Sequence, residues 1–166
     1  VEPGLSFRVN PKTLVIGYGS PIRGDDAIGP LAADALAAQP LPAGVEVMSR
    51  HILTAELVED IAAADRVIFL DATVEGAPGE VRVRRLGPDA NAISTMAHFL
   101  DPRELLAWVQ TLYQREPVAY LVSAAGQTFD YANYTLSPTA SAAFQPMIDQ
   151  VRLLIADPVP TSRPSL

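Results

Sequence analysis

The sequence predicts an α/β fold, a three-layer α/β/α sandwich whose twisted, mostly parallel five-stranded sheet has helices on both faces. Apolar runs typical of strands alternate along the chain with segments of helical periodicity, and this order favours parallel strands joined through helices. The run at 66–74 is continuously apolar, as expected for a strand covered on both faces. The run at 80–86 alternates apolar and polar residues, which indicates an edge strand that can be antiparallel to the others.

Five short runs combine strand-forming residues with flanking turn residues, and each of them predicts a strand. The first, TLVIGY, is apolar and lies between Pro11 and Gly19, whereas the second, VEVMSR, alternates like a half-buried strand. The third, RVIFLDATV, gives the strongest signal in the chain, and VAYLVSA is the last apolar run. The predicted strands, in chain order, cover 13–18, 45–50, 66–74, 80–86 and 118–124.

Four segments place apolar residues at helical spacing and therefore predict the helices that join these strands. The first begins near Ala27 and ends before Pro40. The predicted N-caps of the other three are Thr54, Asp101 and Ser137, because short polar side chains accept hydrogen bonds from the free N–H groups at a helix start. These three helices cover 54–64, 101–114 and 137–156.

The length of 166 residues fits one compact domain, which we expect to include the whole chain. Its core is expected to span residues 13–156, because all the predicted strands and helices lie there. The Pro- and Ser-rich tail at 157–166 is expected to be loose.

The charge and composition argue against several classes of function. Nearly half of the residues are hydrophobic, the net charge is -7 and cysteine is absent. The acidic balance disfavours nucleic acid and anionic membranes as partners, since both need a basic surface. Without cysteine, any metal needs carboxylate, histidine or carbonyl ligands. No run reaches the ~18 apolar residues of a spanning helix, and residues 1–10 lack a signal-peptide pattern, so a cytoplasmic protein is expected.

The loop after the first strand, GYGSPIRGDD at 17–26, has the glycines of a phosphate-binding loop but ends in two aspartates. A dinucleotide-binding fingerprint is disfavoured, because the third glycine is misplaced and no acidic residue ends the second strand. A P-loop is excluded, because Asp25 stands where lysine is required. A role at the helix start explains either aspartate alone. The two together, at the ligand-binding edge of an α/β sheet, favour a cation site.

Further candidate ligands are expected at the same edge of the sheet as Asp26. Asp71 lies at the end of the strongest strand, and His98 lies between the fourth strand and the third helix. Two carboxylates and one histidine can hold a divalent ion and leave positions open for water or substrate. His51 follows the second strand and is a weaker candidate. An ordinary structural role is the alternative for each of these side chains.

Four segments, in order, resemble the motifs of the hydrogenase maturation proteases. LVIGYGSPIRGDDAIG resembles the N-terminal signature, an apolar strand followed by a glycine loop and an acidic pair. VIFLDATVEGAPGEV resembles the second, a strand that ends in Asp before a Pro-Gly turn. AHFLDPRELL is similar to the third, which carries the histidine, and LVSAAGQTFDYANYTLSP is similar to the late segment. The likeness runs from Thr13 to Ile155. Ser20 replaces the family's usual Asn after G-x-G, and Ala27 replaces a frequent Gly.

The resemblance implies a cytoplasmic endopeptidase that removes the C-terminal extension of a nickel–iron hydrogenase large subunit after nickel insertion. Asp26, Asp71 and His98 match the family's metal-binding trio and are the expected catalytic and metal-binding residues. The divalent metal is expected to be nickel supplied by the substrate, with no organic cofactor, and the large-subunit precursor is the expected partner. Contacts with the substrate, or with the groups around the trio, are expected from Gly19, Ser20, Asp25 and His51.

Two alternative functions stay open at this point. A non-catalytic maturation chaperone that binds the metal or the precursor would need the same pocket. A metal-dependent phosphatase is more remote, because Thr73 stands where the D-x-D signature has its second aspartate. For a protease, the residues are compatible with a metal-polarised carbonyl, a metal-activated water, or a general base at Asp26 or Asp71.

Overall fold

The structure, a computed structural model, describes residue 4, residues 6–92 and residues 100–161. Five strands form one sheet: β1 (Thr13–Tyr18), β2 (Val45–Arg50), β3 (Arg66–Thr73), β4 (Val81–Leu86) and β5 (Val118–Ala125). Four α-helices join them: α1 (Ile28–Ala37), α2 (Leu57–Ala63), α3 (Pro102–Tyr113) and α4 (Pro138–Ala156). A single 3₁₀ turn, Gly24–Ala27, precedes α1.

The strands lie in the order β2-β1-β3-β5-β4. β1, β2, β3 and β5 are parallel, and β4 pairs antiparallel with β5 at one edge. The predicted α/β fold with a mostly parallel five-stranded sheet is therefore confirmed. The chain passes from β1 to β2 on one side and then to β3 on the other side of β1. Open α/β sheets bind their ligands at the carboxyl ends of the strands where the direction switches in this way.

Alternate residues of the central strands enter two cores on opposite faces of the sheet. Ile16 and Phe69 pack with α2 and α3, whereas Val15 and Ile68 pack with α1 and α4. Burial of each such side chain contributes roughly 1.5–3 kcal/mol, so the central strands give the loops at their carboxyl ends a rigid base. The three-layer arrangement follows from this alternation. None of the described helices is long and apolar enough to span a membrane.

Two helices begin at the caps that the sequence predicts. The carboxylate of Asp101 accepts a hydrogen bond from the N–H of Arg103 at 2.8 Å, at the start of α3. The hydroxyl of Ser137 accepts one from the N–H of Ala140 at 3.2 Å, at the start of α4. Each cap satisfies a backbone donor that has no partner within its helix.

The prediction that Thr54 caps α2 is wrong. The helix begins only at Leu57, after Glu56, whose side chain makes no capping hydrogen bond. The N–H of Leu57 instead donates to the backbone carbonyl of Thr54 at 3.1 Å. Because of this turn, the regular helix begins later in the chain than its apolar pattern predicts.

The chain after α4 lies against the N-terminal segment as far as Thr161. Val159 is buried, and its carbonyl accepts a hydrogen bond from the N–H of Arg8 at 2.9 Å. For its described part, this arrangement differs from the loose tail expected over 157–166. The Pro and Ser content of the tail does not reveal that Val159 has an apolar site to fill.

Gly17, near the end of β1, allows α1 to lie close against the sheet. A Cβ at this position would collide with the backbone carbonyl oxygen of Gly29 and with the side chain of Ala33, both in α1. The close contact sets the position of α1 and therefore of the 3₁₀ turn before it.

Substitution of Gly17 by alanine is expected to destabilise the fold by about 1–3 kcal/mol, because overpacking forces the backbone to shift. Chemical denaturation followed by circular dichroism measures this change. The control is Gly87→Ala, since nothing lies within 4 Å of a Cβ built at Gly87, and we expect it to stay within about 0.5 kcal/mol of wild type. Equal stability of the two variants would contradict the close packing at Gly17.

Candidate functional site

A cleft of about 620 Å³ opens at the carboxyl edge of the sheet. The loop after β1, the end of β3 and one face of β4 and β5 contribute to its lining. Its volume lies within the ~300–1,000 Å³ typical of ligand sites. The cleft lies beside the switch between β1 and β3, where α/β folds bind their ligands.

The two aspartates that end the loop after β1 have different surroundings. Asp25 is 0 % exposed and is not among the residues that line the cleft, whereas Asp26 is half-buried and lines it. Both belong to the Gly24–Ala27 turn, in which successive side chains point about 120° apart. The two carboxylates therefore face different parts of the protein, and Asp26 alone is placed to meet a ligand.

The Asp25 carboxylate accepts four hydrogen bonds from the segment between β5 and α4. The donors are the N–H groups of Gln127 at 2.7 Å, Thr128 at 3.1 Å and Ser137 at 2.7 Å, and the Ser137 hydroxyl at 2.7 Å. Burial alone would raise the pKa of Asp25, but the hydrogen bonds outweigh burial, so this pKa lies below its ordinary value. Asp25 thus supports the loop and is not among the residues that line the cleft, and its expected role beside the substrate or around the metal-binding trio stays a prediction.

The backbone of the glycine loop holds Asp26 in place. Gly19 has φ +147°, and a Cβ there would collide with the backbone carbonyl of Asp26. The N–H of Ser20 donates to Oδ2 of Asp26 at 2.8 Å. Gly19 and Ser20 both line the cleft, as does the exposed His51. Their predicted contacts with a substrate stay predictions.

Asp71, on β3, lines the same cleft in a more buried environment. Its Oδ1 accepts a hydrogen bond from the N–H of Ala72 at 2.8 Å, and its carboxylate also accepts one from the Tyr18 hydroxyl. Burial is the main cause that raises the pKa of Asp71 to about 8, and it outweighs the hydrogen bonds. The negative charges of Asp26 and Asp101 act in the same direction as burial. Near neutral pH the Asp71 carboxyl is therefore largely protonated.

Of the three predicted metal-binding residues, Asp26 and Asp71 meet at one cleft, while His98 lies outside the described residues. Within the described part of the chain, no group of three His, Cys, Asp or Glu side chains is arranged to hold a metal ion. Carboxylates are accepted as ligands by many divalent ions, so the two aspartates fit a cation that has further ligands of its own. The trio itself stays a prediction.

Tyr18 and Asp101 are cleft residues that the sequence motifs do not indicate. Tyr18 ends β1 and packs edge-on against Phe69, and burial raises the pKa of its hydroxyl well above the ordinary value, with Asp71 adding to the effect. Asp101 is indicated by the sequence only as a helix cap, yet it also lines the cleft. Tyr18 is the last residue of a buried strand and directly precedes the glycine loop. This position is the signal that could have indicated a side chain in the cleft.

Exposed apolar side chains line the outer part of the cleft. Ile52, Val74 and Tyr131 are 41 %, 73 % and 74 % exposed. The guanidinium carbon of Arg23 lies 4.9 Å from the centroid of the Tyr131 ring. Apolar surface around a cleft is typical of a face that contacts another protein.

The fold and the cleft together define a three-layer α/β protein with two carboxylates at its topological switch point. Several solved structures are similar to it over most of the chain. The chain is 27 % identical to the hydrogenase maturating endopeptidase HybD from Escherichia coli, with a TM-score of 0.75 over 90 % of this chain and 97 % of that chain. It is 26 % identical to the hydrogenase 2 maturation peptidase from a Thaumarchaeota archaeon, with a TM-score of 0.65 over 87 % and 98 % of the two chains.

A third structure, the [NiFe] hydrogenase maturation protease HycI from Thermococcus kodakarensis, shares the fold at 22 % identity. Its TM-score is 0.70 over 88 % of this chain and 93 % of that chain. No protein-family model and no curated protein sequence matches the chain. The resemblance to the hydrogenase maturation proteases, which the four motifs indicate, is confirmed by these structures.

Replacement of Asp25 by asparagine is expected to destabilise the protein by about 2–4 kcal/mol, because an amide turns its NH₂ group toward N–H donors and loses the charge that they stabilise. Asp26→Asn is the matched control, since the neighbouring carboxylate is half-buried and accepts one hydrogen bond from the residues that the structure describes. We expect the control to lose less than about 1 kcal/mol. Thermal unfolding of both variants measures the difference.

The stabilisation by Asp25 is also expected to depend on pH. Because the folded state lowers the pKa of Asp25, the stabilisation is present above the ordinary aspartate pKa of about 3.9 and is lost as the pH falls through the lowered value. The gap in Tm between wild type and Asp25→Asn should therefore narrow in acid. A gap that stays constant down to the acid limit of folding would contradict the assignment.

The pKa of Asp71 is expected to respond in opposite directions to two neighbouring substitutions. Asp26→Asn should lower it, because a nearby negative charge is removed, and Tyr18→Phe should raise it, because the ionised form loses a hydrogen bond. Titration of the carboxyl carbons by nuclear magnetic resonance measures both changes against the wild-type value of about 8. Asp130→Asn, an exposed change outside the cleft, is the control. Shifts of one sign in both variants would contradict this environment.

Proposed function

We propose that the protein is an endopeptidase that removes the C-terminal extension from the large-subunit precursor of a nickel–iron hydrogenase once nickel has been inserted. The likeness to the HybD endopeptidase supports this, because it spans nearly the whole of both chains. The proposed partner is the nickel-loaded precursor, and the proposed location is the cytoplasm. Nickel enters the site as part of the substrate.

The observation that carries the proposal is the meeting of Asp26 and Asp71 at one cleft, from the two strands that flank the switch point. Two carboxylates give an incoming cation oxygen ligands, and the net charge of -7 favours its approach. The resemblance adds His98 as the third proposed ligand. The substrate brings its own ligands to nickel. The cleft therefore needs to supply only the ligands that the substrate does not provide.

The protonation of Asp71 affects how a cation binds. Its carboxyl, with a pKa of about 8, carries a proton near neutral pH. A cation beside the carboxyl favours the ionised form, so that binding releases this proton. Cation binding to the cleft should therefore strengthen as the pH rises toward 8.

Hydrolysis of a peptide bond needs an activated water and a polarised carbonyl. An ion held between the substrate and the two aspartates supplies either effect. Asp71 is also suited to act as a general base, because its pKa lies close to neutral pH and such a base is most effective there. Both routes place the scissile bond beside Asp71.

The outer part of the cleft suits a folded protein substrate. Ile52, Val74 and Tyr131 present apolar surface next to the two carboxylates. A large-subunit precursor can pack its own surface against these side chains while its extension enters the cleft. This contact would add affinity without a change at the reacting atoms.

The proposal is tested by incubating the protein with a nickel-loaded large-subunit precursor and measuring the mass of the intact precursor. We expect a loss of mass at its C-terminus, and no loss from precursor without nickel. Asp26→Ala and Asp71→Ala should each slow cleavage at least about 100-fold, the range for groups that take part in proton transfer.

Asp130→Asn is the control, because it removes an exposed carboxylate that does not line the cleft. Its cleavage rate should match that of wild type. Tight binding of the precursor with no change in its mass would identify a chaperone and contradict the proposal. Hydrolysis of a simple phosphoester with magnesium would instead indicate the phosphatase class.

A further inference from the structure

The cleft has a basic end on β4, opposite its carboxylates. Arg82 and Arg84 are alternate residues of this strand, so their side chains share one face of the sheet, and both line the cleft. Arg85 lies on the other face, where its guanidinium carbon is 5.3 Å from the centroid of the Tyr120 ring. We call Arg82 and Arg84 the basic end of the cleft, whose lining also includes the carboxylate of Glu75 and, elsewhere, the guanidinium groups of Arg23 and Arg103.

The strand register places Arg82, one of the two arginines of the basic end, in line with Asp71. Asp71 pairs with Ser123 on β5, and Ser123 pairs in turn with Arg82 on β4. These three residues form one row across the sheet, and all of them line the cleft. Neighbouring strands lie about 4.8 Å apart, so the backbone of Arg82 is roughly 10 Å from that of Asp71.

The arginines of the cleft differ in their partners. Arg82 donates two hydrogen bonds to the carboxylate of Glu80, at 3.0 and 3.1 Å. Arg103 is held in the same way by Asp101, at 3.1 and 3.2 Å. Arg84 is exposed, and it forms no ion pair with any of the described residues. Its guanidinium is therefore available to an anion of the substrate.

We propose that Arg84, with Arg82 beside it, binds an acidic side chain of the cleaved segment about three residues from the scissile bond. This inference rests on the proposed function, which places that bond beside Asp71. An extended chain advances about 3.3 Å per residue, so three residues cover the roughly 10 Å between Asp71 and β4. Arginine binds a carboxylate through two parallel hydrogen bonds, which gives the position a preference for Asp or Glu.

The carboxylates beside the proposed position of the scissile bond add a second constraint. An acidic residue next to the scissile bond would lie near the negative charges of Asp26 and Asp101, which would repel it. The same residue three positions away reaches Arg84. The cleft therefore accepts the segment in one direction, with the acidic side chain toward the sheet edge.

The test uses nickel-loaded precursors that carry one glutamate, or one glutamine, at each of the first five positions on either side of the scissile bond. On one side only, we expect glutamate at about the third position to raise kcat/KM about tenfold over glutamine, as for a charge-assisted hydrogen bond. Arg84→Gln should remove this preference, so that the glutamate and glutamine precursors are cleaved with equal kcat/KM.

Arg85→Gln is the matched control, because it removes the same charge from the same strand on the face away from the cleft. It should keep the glutamate preference. Equal loss of the preference in both variants would show a general charge effect and overturn the subsite. Cleavage by wild type without any glutamate preference would overturn the subsite and leave the proposed function intact.

If no precursor is cleaved, the proposed function is contradicted. The subsite at Arg84 is then tested separately, by the binding of short labelled peptides. Fluorescence anisotropy compares peptides that span the cleavage sequence with glutamate or glutamine at the third position. Tighter binding of the glutamate peptide by wild type and Arg85→Gln, but not by Arg84→Gln, supports the subsite. Equal binding of the two peptides by wild type overturns it.

Discussion

The buried carboxylate of Asp25 is the interaction on which the geometry of the cleft depends. Its four hydrogen bonds join the loop after β1 to the segment between β5 and α4. Ser137, which donates two of these bonds, also caps α4 by accepting from the N–H of Ala140. One side chain thus fixes a loop, a connecting segment and a helix start. Asp26, the next residue, takes its place in the cleft from this fixed backbone.

Asp25 and Asp71 differ in charge because they differ in their hydrogen-bond donors and in their acidic neighbours. Burial raises the pKa of both Asp25 and Asp71, so burial alone does not distinguish them. Asp25 has four donors and a lowered pKa, whereas Asp71 has two donors, faces two acidic neighbours and has a pKa of about 8. A largely neutral carboxyl costs the fold little near neutral pH, yet it becomes a ligand as soon as a cation displaces its proton. A stable fold and a reactive site are compatible for this reason.

The sequence predicts the strands well because their signals are local. The predicted bounds of β1 and β2 coincide with the observed Thr13–Tyr18 and Val45–Arg50. The hydrogen bonds that hold Asp25 could not be predicted in this way, because the donors to its carboxylate lie 102 to 112 positions away along the chain. Likewise, the row of Asp71, Ser123 and Arg82 depends on the order and register of the strands. Neither can be predicted from a local sequence pattern.

The positions of the arginines on β4 indicate more about their function than the number of arginines does. Charged side chains on an edge strand discourage pairing with a second copy of the sheet, and arginine at any position of the strand would serve that purpose. Edge protection therefore leaves open which face the charges occupy. Arg82 and Arg84 both lie on the cleft face, and Arg82 is in line with Ser123 and Asp71, while Arg85 on the other face lies over Tyr120. Protection of the edge does not require two arginines on the cleft face, whereas a ligand in the cleft gives both of them a role.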